Sequence, residues 1–160
     1  MAISKIQSES MNLADTFAFT GSVSGTSNVL QAKHTFNPSS TTNVTTTSTS
    51  FVALGVSLSI TPASTSNKIL AIFSCPMYAG SGDHHILTLY RDSTNLGHAS
   101  WGFGASTANI ITVPTGSVLD SPSTTSSVTY ALYHKTNAGS TAYGIINSAK
   151  ACITLLEIAA

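Results

Sequence analysis

The sequence predicts an all-β fold: an antiparallel β-sandwich of jelly-roll type forming a knob, preceded by an extended N-terminal arm. Three observations carry this. Short β-branched or aromatic runs bounded by Ser, Thr, Asn, Gly and Pro recur along the chain, while helical periodicity is weak almost everywhere. Strict alternation interleaves Leu58 and Ile60 with Ser57 and Ser59, and Val128, Tyr130 and Leu132 with Ser127, Thr129 and Ala131, as strands with one wet face require. The length of 160 residues, 42% of them hydrophobic, suits one domain with a real core.

The first 28 residues read differently from the rest. Ile3, Ile6, Met11 and Leu13 could line a short helix or an extended arm, and Phe17 and Phe19 flank Ala18 before the break Gly21-Ser-Val-Ser-Gly25. A segment this short cannot bury its own apolar groups, so it is expected to dock on a partner or on symmetry mates. The knob is expected over residues 29–160.

Its candidate strands are 29–36, 45–54, 56–61, 68–78, 84–91, 109–114, 127–134, 142–146 and 151–158. Residues 69–73 and 153–158 are apolar on both faces, which predicts central strands or strands lying against another subunit. Between the runs, 61–67, Gly80-Ser-Gly82, Ser121-Pro-Ser-Thr124 and Asn137-Ala-Gly139 carry turn chemistry. The stretch 97–107 sets Trp101 and Phe103 among small residues that cannot cover them, an arrangement suited to a surface contact.

Composition narrows the function. Six basic and six acidic residues give a formal charge of zero, with no lysine or arginine run to neutralise a phosphate backbone, so nucleic acid is not expected as a partner. Ser and Thr make up nearly a third of the chain, and charged residues only 8%, against about a quarter in ordinary domains. So little charge repulsion between copies points to intended association. Cys75 and Cys152 each sit in an apolar run and read as small buried hydrophobes. The opening residues carry no apolar signal core and no stretch reaches membrane-spanning length, which predicts a chain made in a cytoplasm and kept in solution without membrane insertion.

No constellation of reactive residues is compelling. Asp83-His84-His85 is the best metal candidate, yet adjacent strand residues point to opposite faces, so both histidines are read as rim residues. His98 lies in the aromatic loop; His34 and His134 fall in strand patterns where a half-buried, hydrogen-bonded imidazole is expected. Gly21-Ser-Val-Ser-Gly25 lacks the spacing of a nucleophile elbow. The carboxylates Glu9, Asp15, Asp83, Asp92, Asp120 and Glu157 form a thin list for glycoside cleavage. Glu157, inside an apolar strand, is read as an ion pair or an intersubunit contact, and Asp92 as a turn opener. Asn43-Val-Thr45 matches a glycosylation acceptor but is read as part of a Thr-rich strand. The expectation is a protein that is not an enzyme, with no catalytic residues, no cofactor and no metal.

Residues 4–21, the pair of segments Thr47-Ser-Thr-Ser-Phe-Val52 and 58–70, the tail Ile153-Thr-Leu-Leu-Glu-Ile158 and the arginine-led hairpin at 90–97 together resemble small virion proteins of tailed bacteriophages, notably those infecting cyanobacteria and other aquatic bacteria. The resemblance implies a virion structural protein, commonly a homotrimeric knob held to the particle by its N-terminal segment. Attachment to the major capsid protein or a tail component then falls to Ile3, Ile6, Met11, Leu13, Phe17 and Phe19. The absence of a heptad run or a collagen-like repeat favours capsid decoration or cement over a long fibre. The alternative is a tail-fibre or receptor-binding knob touching host surface glycans through Tyr78, His84, His98, Trp101 and Phe103; a glycan hydrolase is the remote third reading.

Overall fold

A computed structural model describes residues 29–38, 43–80 and 82–160. They form thirteen strands: β1 (Val29–Phe36), β2 (Val44–Thr46), β3 (Val52–Ile60), β4 (Lys68–Ser74), β5 (Met77–Ala79), β6 (His84–Arg91), β7 (Thr94–Asn95), β8 (Gly104–Thr107), β9 (Ile111–Thr112), β10 (Thr115–Asp120), β11 (Val128–Thr136), β12 (Ala142–Gly144) and β13 (Cys152–Ile158). Three antiparallel sheets result, ordered β1-β13-β4-β10, β2-β12-β5-β9 and β3-β11-β6-β7, with β8 also on β6.

The first two sheets are one layer with a kink. Their strand orders correspond position by position: β1 is followed in the sequence by β2, and β4 leads into β5, β9 into β10 and β12 into β13. Pro76 and Pro114 sit at two of the crossings, where a ring without an N–H interrupts the ladder. Backbone bonds from Asn37 to Ala151, Cys75 to Pro114 and Ile146 to Pro76 tie the strands together through the kink. The chain therefore passes from layer to layer as a jelly-roll sandwich does, and the expected all-β sandwich is what forms.

Alternation decides what is buried. Along β11 every second side chain from Val128 to Thr136 turns inward; Ile69, Ala71 and Phe73 of β4 and Ile153 and Leu155 of β13 face it from the kinked layer. Phe73 meets Phe103 edge to face at 5.0 Å, which closes the core under the β6–β8 region.

Several boundaries differ from the expected ones. Gly55 reads as a break between strands at 45–54 and 56–61, yet it lies within β3 at φ 84, a left-handed value that glycine adopts freely. Residues 68–78 split at Cys75 and Pro76. The run 142–146 stops at Gly144 because Ile145 turns to φ 54. β8 and β10 were not anticipated, whereas β7 completes the hairpin expected at 90–97. The arm residues Ile3, Ile6, Met11, Leu13, Phe17 and Phe19 lie outside the described residues, as does the rest of 1–28.

Candidate functional site

The kinked layer has two unlike faces. Its inner face is core. On its outer face the strand register aligns Leu119 of β10, Leu70 of β4, Leu156 of β13 and Ala32 of β1 in one row across all four strands. Ile72 and Phe36 extend the apolar surface toward the kink, and Leu119 and Phe36 are each 54% exposed. Beyond the kink, Ile111 and Val113 are exposed as well. Lys68, His34 and the half-buried thiol Cys152 are the titratable groups standing on this face among the described residues of the β1-β13-β4-β10 sheet. The opposite layer is different: Ser57, Ser59, Thr129 and Tyr133 make its outer surface hydroxyl-rich. Contiguous exposed apolar surface on a sheet face is a feature of contact surfaces.

The buried polar groups are bonded into the scaffold. Glu157 points inward from β13 and is fully buried, accepting from Gln31 Nε2 at 2.5 Å, Asn67 Nδ2 at 2.6 Å and the Ala63 N–H at 2.7 Å. Burial works to raise its pKa, but these three donors outweigh it and hold the carboxyl below its usual range. In place of the expected ion pair or intersubunit contact, the buried carboxylate is a latch between edge strand β1 and the 61–67 loop. Asp83 is held the same way: burial opposes its charge, and four backbone N–H groups, of His84, Ser140, Ala138 and Asn137, overcome it. Between the layers, Arg91 donates to both oxygens of Asp120 at 2.7 Å, and the Tyr130 hydroxyl donates to Asp120 Oδ2 at 2.6 Å. Burial, then the hydrogen bond to Asp120, pushes the Tyr130 phenol upward.

His85 and His134 form the least expected pair. His85 lies in phase with Leu87 and Leu89, and His134 with Leu132, so both enter the interior. His85 Nε2 stands 2.8 Å from His134 Nδ1, and the outer nitrogens, His85 Nδ1 and His134 Nε2, make no well-formed hydrogen bond among the described residues. Burial, reinforced by the neighbouring imidazole, depresses His85 to about 3, and burial depresses His134 to about 4. The rim reading of His85 is corrected; only His84, on the other face of β6, remains half-buried.

The surface candidates divide similarly. Trp101 is 47% exposed and meets the His84 ring edge-on at 5.7 Å, so these two do share one patch. His98 is exposed, its Nδ1 accepting from the Ser100 and Trp101 N–H groups, which shapes the loop. Tyr78 lies on the kinked layer beside Tyr143 and donates to Asn109 Oδ1. Phe103 turns inward onto Phe73 and is half-buried against the core. His34 is exposed on edge strand β1, bonded to Thr154 Oγ1, and not half-buried as its strand pattern suggests. Cys75 is a buried free thiol that burial pushes up to about 12; Cys152 is also free but half-buried on the outer face. Asp92, at φ 50, does open the β6–β7 turn.

Among the described residues no three of His, Cys, Asp and Glu come together in a way that could hold a metal ion, and no helix is long and apolar enough to cross a membrane. No protein-family model and no curated protein matches the chain.

Proposed function

We propose that the chain is a virion structural protein of a tailed bacteriophage: a homotrimeric knob that decorates or cements the capsid and is attached through its N-terminal residues. The observation that carries this reading is the apolar row Leu119, Leu70, Leu156 and Ala32 on the outer face of the kinked layer. Three leucines and an alanine in register across four strands, Leu119 exposed and Leu70 and Leu156 half-exposed, cost solubility unless a second surface covers them. A partner of high charge would be poorly matched there, since little on that sheet face could pair with it. A second copy of the same face matches it, and closed threefold symmetry would cover the face while stopping open-ended growth of a nearly uncharged protein.

The hydrophobic residues before β1 supply the second half of the reading. Ile3, Ile6, Met11, Leu13, Phe17 and Phe19 precede, in the sequence, a sandwich whose described residues form a continuous hydrophobic core. Three such segments per trimer, repeated over many knobs on a shell, would add modest contacts into tenacious binding.

The test is removal of residues 1–20 followed by co-sedimentation with undecorated particles. The shortened protein is expected to stay a folded oligomer and to lose particle binding. Undiminished binding would overturn the attachment role, and failure of the full-length chain to bind any virion component would overturn the reading as a whole.

A further inference from the structure

On the side of the sandwich away from the apolar row, the pairing of β3 with β11 breaks. Ala131 pairs Ser57 and Tyr133 pairs Ala53, so the three residues Leu54, Gly55 and Val56 stand opposite the single Leu132. A hollow of about 290 Å³ opens at this point. Gly55 keeps it open: a Cβ added there would meet nothing within 4 Å, and its φ of 84 disfavours any side chain that could fill the space.

The walls of the hollow are chemically specific. Tyr133 forms one side, and its ring is backed by Tyr90 at 4.2 Å and 31°, with Phe51 beyond at 6.3 Å from Tyr90. Lys135 Nζ lies 4.9 Å above the Phe51 ring, on the far side of the aromatic group. Asp92 also lines the hollow and is fixed at two points to Thr129: its N–H donates to the Thr129 carbonyl at 2.8 Å, and its Oδ1 accepts the Thr129 N–H at 2.9 Å. Asp92 Oδ2 makes no hydrogen bond within the described residues. The Ser57 hydroxyl joins the lining, and Val56 and Leu132 contribute apolar surface.

We infer that this hollow at the β3–β11 bulge is a binding site for one ring of a neutral saccharide. A braced aromatic ring offers a flat apolar surface to the C–H face of a pyranose. A carboxylate oxygen already oriented by its neighbour accepts sugar hydroxyls through charge-assisted bonds without paying to be ordered. Both features stand in one lining, and the volume lies at the small end of the roughly 300–1,000 Å³ span of ligand sites, which suits a single ring. Asp92 is the only charged residue of the lining among the described residues, so anionic sugars and phosphates are disfavoured. The site sits on the hydroxyl-rich layer, so it is independent of whatever covers the apolar row; binding and assembly can fail separately.

The test is a ligand-observed NMR titration of the full chain with methyl glucoside, methyl mannoside, methyl galactoside and N-acetylglucosamine, with sialic acid as the anionic control. At least one neutral sugar is expected to bind at millimolar concentration or better, sialic acid is not, and backbone amide shifts should concentrate at Gly55, Thr129 and Ala131. Tyr133→Ala and Asp92→Asn should each weaken binding at least about tenfold, equivalent to the loss of one good contact. Ala131→Phe, which fills the hollow from a strand-compatible position, should abolish it. No neutral sugar binding to the wild-type chain overturns the inference; so does binding whose shifts lie elsewhere, or binding unchanged in Ala131→Phe with its fold intact.

Discussion

Acidification should unfold this protein through the His85–His134 pair, and the size of the effect follows from its burial. In an unfolded chain each imidazole has a pKa near 6.5; folded, His85 falls to about 3 and His134 to about 4. The folded values are depressed, so between those limits the unfolded chain binds more protons. Stability is therefore at its full value above about pH 6.5 and is lost progressively as pH falls toward 4. At about pH 5 a histidine kept neutral by folding forgoes roughly 2 kcal/mol, and the pair up to about twice that, against a total of roughly 5–15 kcal/mol for an ordinary domain. The assay is urea denaturation at about pH 7 and about pH 5 at fixed protein concentration, since subunit association also contributes to apparent stability. Asp83 and Glu157 have lowered pKa values, so their contribution is present above the ordinary carboxylate range and its loss falls mainly below that range, under the pH 7 to 5 window. The double variant His85→Leu, His134→Leu removes both imidazoles from an apolar site and should be nearly as stable at neutral pH, with most of the dependence between pH 7 and 5 gone. Equal wild-type stability at the two pH values would refute the buried neutral pair, as would an unchanged slope in the double variant.

Other perturbations have comparable sizes. Glu157→Ala strands the donors of Gln31, Asn67 and Ala63 and should cost about 3–5 kcal/mol by chemical denaturation, with hydrogen exchange accelerating first in β1 and the 61–67 loop. A Cβ on Gly116 would run into the Phe73 ring, so Gly116→Ala should destabilise by about 1–3 kcal/mol. Combining it with Phe73→Leu should cost less than the sum of the two single changes, whereas strict additivity would show that the ring does not fill that space.

The sandwich was legible because its long strands alternate cleanly. β1, β6, β11 and β13 lie within two residues of their expected limits. β10 was not legible: Thr115–Asp120 offers one inward apolar residue of size, Val118, and its inward Gly116 and Asp120 look like loop chemistry. β8 begins at Gly104 and carries no large residue. Gly55 reads as punctuation because a left-handed φ inside a strand is decided by the bulge, which depends on a partner strand more than 70 residues away. Among the polar residues, alternation did carry a usable signal for His85 and His134, since each is in phase with buried leucines. That the two imidazoles meet is a matter of register between β6 and β11, which local sequence does not encode. The hollow beside Asp92 and Tyr133 has the same origin, in a pairing defect between strands.

The outer face of the kinked layer is the centre of the account, and the most direct measurement is native mass spectrometry of the full chain beside Leu156→Glu, which puts a charge in the middle of the apolar row without touching the core. The wild-type chain of 16.5 kDa is expected as a trimer, and the variant as a folded monomer. A monomeric wild-type protein, or a variant that remains trimeric, would contradict the assignment of this face to assembly.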